Sequence, residues 1–533
     1  MSEASITFLG SFSKKLVANT FFNLLGRSWK FVLTLLLTPY ILSRIGVNEF
    51  GVWALFSSVL AGSFTLLDVG LSLSFVKFIS AYHVHQDYRR ISDTVSLGLV
   101  FYAIFGIAIV GVGLAIESPL LDFFHIDAAR ASDAYLLALV GCAVSNVGAV
   151  FLSVFRGIQR MDKSNTIEMR MALVNAAGTV LVLELGLGLF GLALNAVVNA
   201  ALSGLVSWKA MRRIMPDVSI HFRFDRALLR EMFAYASKIQ VSRLGTLVCF
   251  QLDKLIISRM FGIGAVSFYE IGSRLALMMR SIPLVMISAL IPATSELEAR
   301  NEREKVLRAY VAASKYVTII TVALGAYLVI EAEPLLNLWL GKGFDAAVML
   351  TKILAIGYAF NILGGVASQT GAGVGRPEFD MRSTALLSVT NPILSLILVQ
   401  RFGPAGAATG TALALMVASA YLIHTFHRNY AGTSAWTAFL DIYFRPFLAG
   451  SLASVAVLGF HRITPSLVVL DSVRWMIPLK MALDLGIFSV VYFGLLIGLR
   501  QVTTIDRDNF MGLMAFGFEF LRHPFRERVK IYR

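Results

Sequence analysis

The sequence predicts an all-α integral membrane protein with about fourteen transmembrane helices, in two six-helix repeat lobes followed by two C-terminal helices. Three observations carry this expectation. Hydrophobic residues make up 57% of the 533-residue chain and charged residues only 15%, with a mean hydropathy of +0.73, too apolar for a soluble globular chain. Continuous apolar runs of about 20 residues, enough to cross about 30 Å of hydrocarbon, recur from Leu16 to the region of Leu499. A membrane β-barrel would show alternating segments of about 10 residues instead. The third observation is an internal repeat.

The turn "RIGVNEFGVW" from Arg44 matches "MFGIGAVSFY" from Met260, aligning Gly46 with Gly262 at an offset of 216. "GIQRMD" from Gly157 matches "GVGRPE" from Gly373, again at 216, and "GLFGLALN" from Gly188 matches "GPAGAATG" from Gly403 at 215. Glycine is common in tight turns, so each match is weak alone and the constant offset carries the weight. The repeat divides the chain into an N-lobe (1–215, helices 1–6), a cytoplasmic linker (216–231), a C-lobe (232–430, helices 7–12), helices 13 and 14 (431–500) and a basic cytoplasmic tail (501–533). Six crossings per lobe bring both lobes in from the same side, related by an axis along the membrane normal.

Taken in order, Met1–Lys15 is polar and the first apolar run is too long for a cleaved signal, so it is expected to remain as helix 1. The linker "MRRIMPDVSIHFRFDRALLREMF" and the tail "FGFEFLRHPFRERVKIYR" are basic and partly helical, and are expected to lie on the inner membrane surface. The net charge of +14 is topological and does not mark a nucleic-acid partner. Lys and Arg concentrate in alternate loops, among them Arg89 and Arg90, Arg156 and Arg160, Arg212 and Arg213, and Arg300 and Arg303. That asymmetry places both termini in the cytoplasm. Cys142 and Cys249 both fall in apolar runs, which excludes a disulfide framework.

The strings "PYILSRIGVNEFGVWAL", "LLDVGLSLSFVKFIS", "LDKLIISRMFGIGAVSFYEIG" and "IPATSELEA" resemble the polysaccharide-biosynthesis flippases, the O-antigen and exopolysaccharide translocases of the multidrug/oligosaccharidyl-lipid/polysaccharide (MOP) exporter superfamily. The resemblance covers nearly the whole chain. It implies a non-enzymatic transporter in the bacterial inner (cytoplasmic) membrane. Such a transporter moves an undecaprenyl-diphosphate-linked oligosaccharide across the bilayer by alternating access, driven by H+ or Na+ and working beside other polysaccharide-assembly proteins. No cofactor is implied.

Ionisable residues inside the spans point the same way from the residues alone. A charge near the bilayer centre costs at least about 2.5–3.5 kcal/mol, so it is expected to face a cavity or a partner. Arg280 lies about 16 Å past Tyr269, and Asp68 about 25 Å from either flank of its helix, both near the middle. Folding the first hairpin about Val47 sets Arg27 opposite Asp68, and folding the second about Ile263 sets Asp253 opposite Arg274. Arg243 occupies the repeat position of Arg27. The candidate substrate-binding cations are thus Arg27, Lys30, Lys238, Arg243, Arg274 and Arg280, with Asp68 and Asp253 as structural or coupling carboxylates. An excess of cations suits a diphosphate, whose oxygens accept forked bonds from Arg and point contacts from Lys. For Arg27 and Lys30 a second reading stands equally: both snorkel to an interface, anchored by Trp29.

Other strings carry no chemistry. "GLGLFG" lies between membrane helices without a preceding strand, "DRD" at Asp506 is isolated in the tail, and His83, His85 and His125 lack metal-ligand spacing. A pathway polymerase or ligase would need an extracytoplasmic catalytic loop, and the longest outside segment, near Glu331–Met349, is short and apolar. A drug-cation exporter would carry excess acid in its lumen. A peptidoglycan-precursor flippase shares the cationic cavity, and the sequence separates it poorly.

Overall fold

The computed structural model describes residues 29–60, 71–221, 225–288, 290–464 and 474–501. All of its regular structure is helical: α1 Trp29–Leu60, α2 Leu71–Val84, α3 Tyr88–Ala115, α4 Glu117–Phe123, α5 Ala128–Gly157, α6 Met161–Glu184, α7 Gly188–Ile214, α8 Arg226–Phe261, α9 Ile263–Ser288, α10 Leu290–Ala299, α11 Arg303–Leu340, α12 Asp345–Gly373, α13 Glu378–Phe426, α14 Ala435–Ala438, α15 Arg445–Ile463 and α16 Ile477–Gly498. Two π-helical turns flank α14. Eleven of the described helical segments are long and apolar enough to cross a membrane. α1 breaks at Gly46 (φ 78°) and α13 at Gly403 (φ 61°). With those breaks and the more polar α8, the architecture is the expected one of about fourteen helices.

Local chemistry sets the helix starts. The side chains of Asp87, Asp127 and Asp225 accept from free backbone N–H groups in the first turns of α3, α5 and α8. The reversals follow the repeat. Residues with left-handed backbone pair up as Gly46 with Gly262, Gln86 with Asn301, His125 with Gly341, Gln159 with Gly375 and Gly188 with Gly403, each pair 215 or 216 residues apart.

Packing repeats as well. α5 and α7 approach so closely that a Cβ on Gly148 would stand 3.1 Å from the Gly204 Cα. In the second half α12 and α13 do the same: a Cβ on Gly364 would stand 3.3 Å from the Ser419 Cα. Small residues permit this contact, which replaces the hydrophobic drive that lipid does not supply. α3, α5, α6 and α7 pack with one another, as do α8, α9, α12 and α13. α15 and α16 pair and rest on α11 around Val322, Ala453, Phe488 and Tyr492.

Two contact zones join the halves. Near the Gly46 and Gly262 turns, Ser267 Oγ donates to Val47 O, and Trp339 Nε1 donates to Leu35 O at 2.6 Å. Gly51 sits so close to α9 that a Cβ there would lie 2.2 Å from Ile263 O. Toward the other end, Ser74 Oγ of α2 donates to Met232 O of α8 at 3.1 Å.

In the connection before α8, residues 216–221 dock on the first turns of α3. The N–H groups of Ser219 and His221 donate to Ser92 Oγ and Ser96 Oγ, both at 3.0 Å, and His221 Nε2 lies 2.8 Å from Asp93 Oδ1. The α3 hydroxyls satisfy backbone groups that an interfacial strand would have left to water. The basic tail lies outside the described residues.

Candidate functional site

α8 and α9 carry a cluster of buried and half-buried charge. Asp253 of α8 is fully buried. One carboxylate oxygen accepts from Ser395 Oγ at 2.9 Å, the other from Tyr269 Oη and from Thr411 Oγ1. Asn391 Nδ2 donates to Thr411 Oγ1 at 2.8 Å, while the buried Asn391 Oδ1 has no hydrogen-bond partner among the described residues. Ser395 Oγ also lies 3.3 Å from Ala407 O. The result is a buried knot of oxygen atoms around one carboxylate, drawn from α8, α9 and both limbs of α13. Hydroxyl donors offset the cost of burying that charge.

The first half holds the matching knot without the acid. Asn195 Nδ2 donates to Asn175 O at 3.0 Å, to Asn175 Oδ1 at 3.1 Å and to Thr179 Oγ1 at 3.2 Å. Asn175, Thr179 and Asn195 stand 216 residues before Asn391, Ser395 and Thr411, and the position matching Asp253 is Leu37. The carboxylate is thus an addition to a duplicated polar contact.

On α8 the next residue after Asp253 is Lys254, whose Nζ lies 2.7 Å from Glu270 Oε2, and Arg274 Nε lies 2.9 Å from Glu270 Oε1. Two cations therefore share one carboxylate. Arg274 also reaches across the seam, donating from Nη1 to Thr38 Oγ1 of α1 at 2.6 Å and lying 5.2 Å over the Phe50 ring. Deeper in the second half, Arg280 Nε donates to Asn361 Oδ1 at 3.1 Å and the guanidinium covers the Phe250 ring at 5.0 Å.

These positions correct several sequence-based pairings. Arg274 takes Glu270, one turn earlier on its own helix, and not Asp253, because depth alone does not fix the direction in which each side chain leaves its helix. Lys30 pairs with Glu168 of α6, which also accepts from Arg156 Nη2 at 2.8 Å. Glu184 pairs with Arg44 and accepts from Tyr40 Oη at 2.7 Å, so it is a surface contact. Arg27 and Asp68 lie outside the described residues. Lys238 and Arg243 lie on α8, but their side chains fall outside the described set. Lys254 and Glu270 were missed, although the Glu270–Arg274 spacing of four is a sequence signal for a helical ion pair. No group of three or more metal-ligating His, Cys, Asp or Glu side chains occurs among the described residues.

Comparison with known proteins places this geometry. The family model described as polysaccharide biosynthesis protein matches residues 16–298, and the model described as lipid II flippase MurJ matches residues 209–477. The putative O-antigen transporter of Shigella flexneri is 20% identical over 403 residues, covering 74% of this chain and 93% of that protein. The probable low-salt glycan biosynthesis flippase Agl15 of Haloferax volcanii is 21% identical, covering 70% of this chain and 75% of its own length. Among solved structures, lipid II flippase MurJ in an inward closed conformation superposes with a TM-score of 0.64 at 16% identity, covering 90% of this chain and all of that one. An inward-facing multidrug resistance MATE family transporter of the MOP superfamily gives a TM-score of 0.61 at 18% identity over 78% of this chain and 95% of that one. The structural likenesses establish the shared fold. With more than half of its length matched by the first family model, the chain belongs to the polysaccharide biosynthesis protein family of multi-pass membrane proteins.

Proposed function

We propose that the protein is a flippase that carries an undecaprenyl-diphosphate-linked oligosaccharide from the cytoplasmic to the outer leaflet of the bacterial inner membrane by alternating access. The observation that carries this reading is the charge on α8 and α9. Lys254 and Arg274 share Glu270, and Asp253 stands next to Lys254 in the chain, so these four groups balance and the surplus on α8 and α9 rests on the remaining cations. Arg280, with Lys238 and Arg243 on the same pair of helices, belongs to that surplus. A diphosphate matches that surplus, and a cationic drug does not. The positive-inside asymmetry sets both termini in the cytoplasm.

Asp253 is the coupling carboxylate in this proposal. Its carboxylate, the Ser395 and Thr411 hydroxyls, the Asn391 side-chain oxygen and the Ala407 carbonyl supply hard oxygen ligands for Na+. The same buried carboxylate takes H+ if the protein is proton-driven. Since only the second half holds this acid, the ion acts on one half.

The match to the lipid II flippase model over residues 209–477 supports a second reading, a peptidoglycan-precursor flippase, which also moves a lipid diphosphate. Deleting the gene in its native host separates the two. Loss of surface polysaccharide, with single-repeat lipid-linked intermediates held on the cytoplasmic leaflet, is expected for the first. Lysis with trapped peptidoglycan precursor indicates the second. Complementation with R274Q, R280Q and R243Q tests the cations: full transport by the triple variant overturns the diphosphate site.

A further inference from the structure

Each half of the duplicated fold carries a surface groove, and the two are not alike. Gly106, Val110 and Ala143 line one of about 440 Å³ between α3 and α5. Their counterparts 216 residues onward, Val322, Ala326 and Ala359, line one of about 360 Å³ between α11, α12 and α15. In the second groove α15 forms a third wall, packed so closely on α11 that a Cβ on Gly450 would stand 2.5 Å from Val322 Cγ1. Half-buried Lys352 also lines that groove, and the matching position in the first half is Leu136. Lys352 has no carboxylate or hydrogen-bond partner among the described residues. The first half packs the same pair of helices with a leucine there, so the cation is not a packing requirement and points to a ligand of its own.

The groove has the dimensions of one lipid chain. At one end the Phe360 and Phe447 rings stack with centroids 5.4 Å apart. Lys352 stands eight residues before Phe360, about 12 Å along α12 toward the Gly341 turn, and Leu458, eleven residues past Phe447 on α15, lies toward the same end. That length is close to the hydrocarbon depth of one leaflet, half of about 30 Å. Ile356 and Leu458 are 43% and 53% exposed, so the long side of the groove opens to the bilayer. Lys352 is seven residues, about 10 Å, from the first residue of α12, and a lysine stem carries its ammonium over much of that distance toward the headgroups.

We infer that this groove binds an anionic phospholipid, with one acyl chain lying between α12 and α15 and its phosphate paired with Lys352. The phosphate oxygens give the ammonium the point-charge partner that the chain itself does not supply, and the apolar walls replace neighbouring lipid tails. The undecaprenyl chain of a lipid-linked sugar is far longer than one leaflet and would overrun the stacked rings of Phe360 and Phe447. Transport of such a substrate is not required for this site to fill.

A photoactivatable phosphatidylglycerol with a diazirine in its acyl chain tests the site, on the full-length protein in phosphatidylcholine nanodiscs. The labelled peptides are expected to contain Ile356 and Leu458. The same diazirine carried on phosphatidylcholine should label them about fivefold less, the attraction that one lysine exerts on an anionic headgroup. That comparison uses the wild-type protein and depends on no variant folding. K352L, which installs the residue of the first half, should bring the two lipids to equal labelling. Equal labelling by both lipids in the wild type, a preference for phosphatidylglycerol that K352L leaves intact, or displacement of the label by undecaprenyl diphosphate but not by unlabelled phosphatidylglycerol would each overturn the site.

Discussion

Substituting Gly51 perturbs the contact zone near the Gly46 and Gly262 turns. A Cβ there would stand 2.2 Å from Ile263 O, 2.7 Å from Ser267 Oγ and 3.1 Å from Ile263 C. An ordinary carbon–oxygen contact needs about 3.3 Å, so α1 and α9 must part by about 1 Å locally. Overpacking of this kind costs about 1–3 kcal/mol. Set against a two-state equilibrium, that is a shift of about 5- to 150-fold toward the arrangement in which the zone is open. Thr38, fully buried and eight residues before Gly46, lies about 12 Å inward of the turn and reports the opening. In a background with Cys142 and Cys249 replaced by alanine, Thr38→Cys should react slowly with an impermeant maleimide supplied from the side of the Gly46 turn. Gly51→Ala should accelerate that reaction at least fivefold, and Gly51→Leu more. Thermal midpoints control for folding. Unchanged labelling in both variants, with folding intact, would refute the idea that this contact closes the seam.

Further predictions follow from the buried polar groups. Glu270→Gln strips both Lys254 and Arg274 of their shared carboxylate and should lower the thermal midpoint sharply, in line with the ~3–5 kcal/mol cost of an orphaned buried charge. The double variant E270Q/K254Q should recover part of that loss in the same fluorescence-detected melt. If sodium is the coupling ion, saturating sodium should stabilise the wild type, by ~2.7 kcal/mol at a concentration 100 times the dissociation constant, and should leave D253N unmoved. Gly357→Leu should destabilise by ~1–3 kcal/mol, since even a Cβ there would stand 2.6 Å from the Ala412 Cα; a melt identical to wild type would contradict the close α12–α13 packing.

The helix count and the internal repeat were legible because both are written in features of one dimension, run length and residue offset. Gly46 and Gly262, aligned from the sequence, share backbone angles of φ 78° and 82°. The site was legible in content but not in pairing. Asp253 stood out as a buried acid, yet its partners Ser395 and Thr411 lie 142 and 158 residues onward, and only the offset to Thr179 and Asn195 hints at them. Depth matching assigned Arg274 to Asp253 because rise along a helix is readable and rotation about it is less so. Lys30 was read without its partner because Glu168 lies 138 residues onward, on α6. Helix-period reasoning would have found the Glu270–Arg274 pair.

Gly46 and Gly262 have a consequence for chemical synthesis and for mutational tolerance. Neither has any foreign atom within 4 Å of where a side chain would begin, so nothing crowds them; what excludes L residues is handedness alone. A D-alanine placed at either position by semisynthesis should be accepted as readily as glycine, while L-alanine, of identical volume, should not. The two reversals are selected by chirality, and a mirror-image residue distinguishes that constraint from the steric one at Gly51.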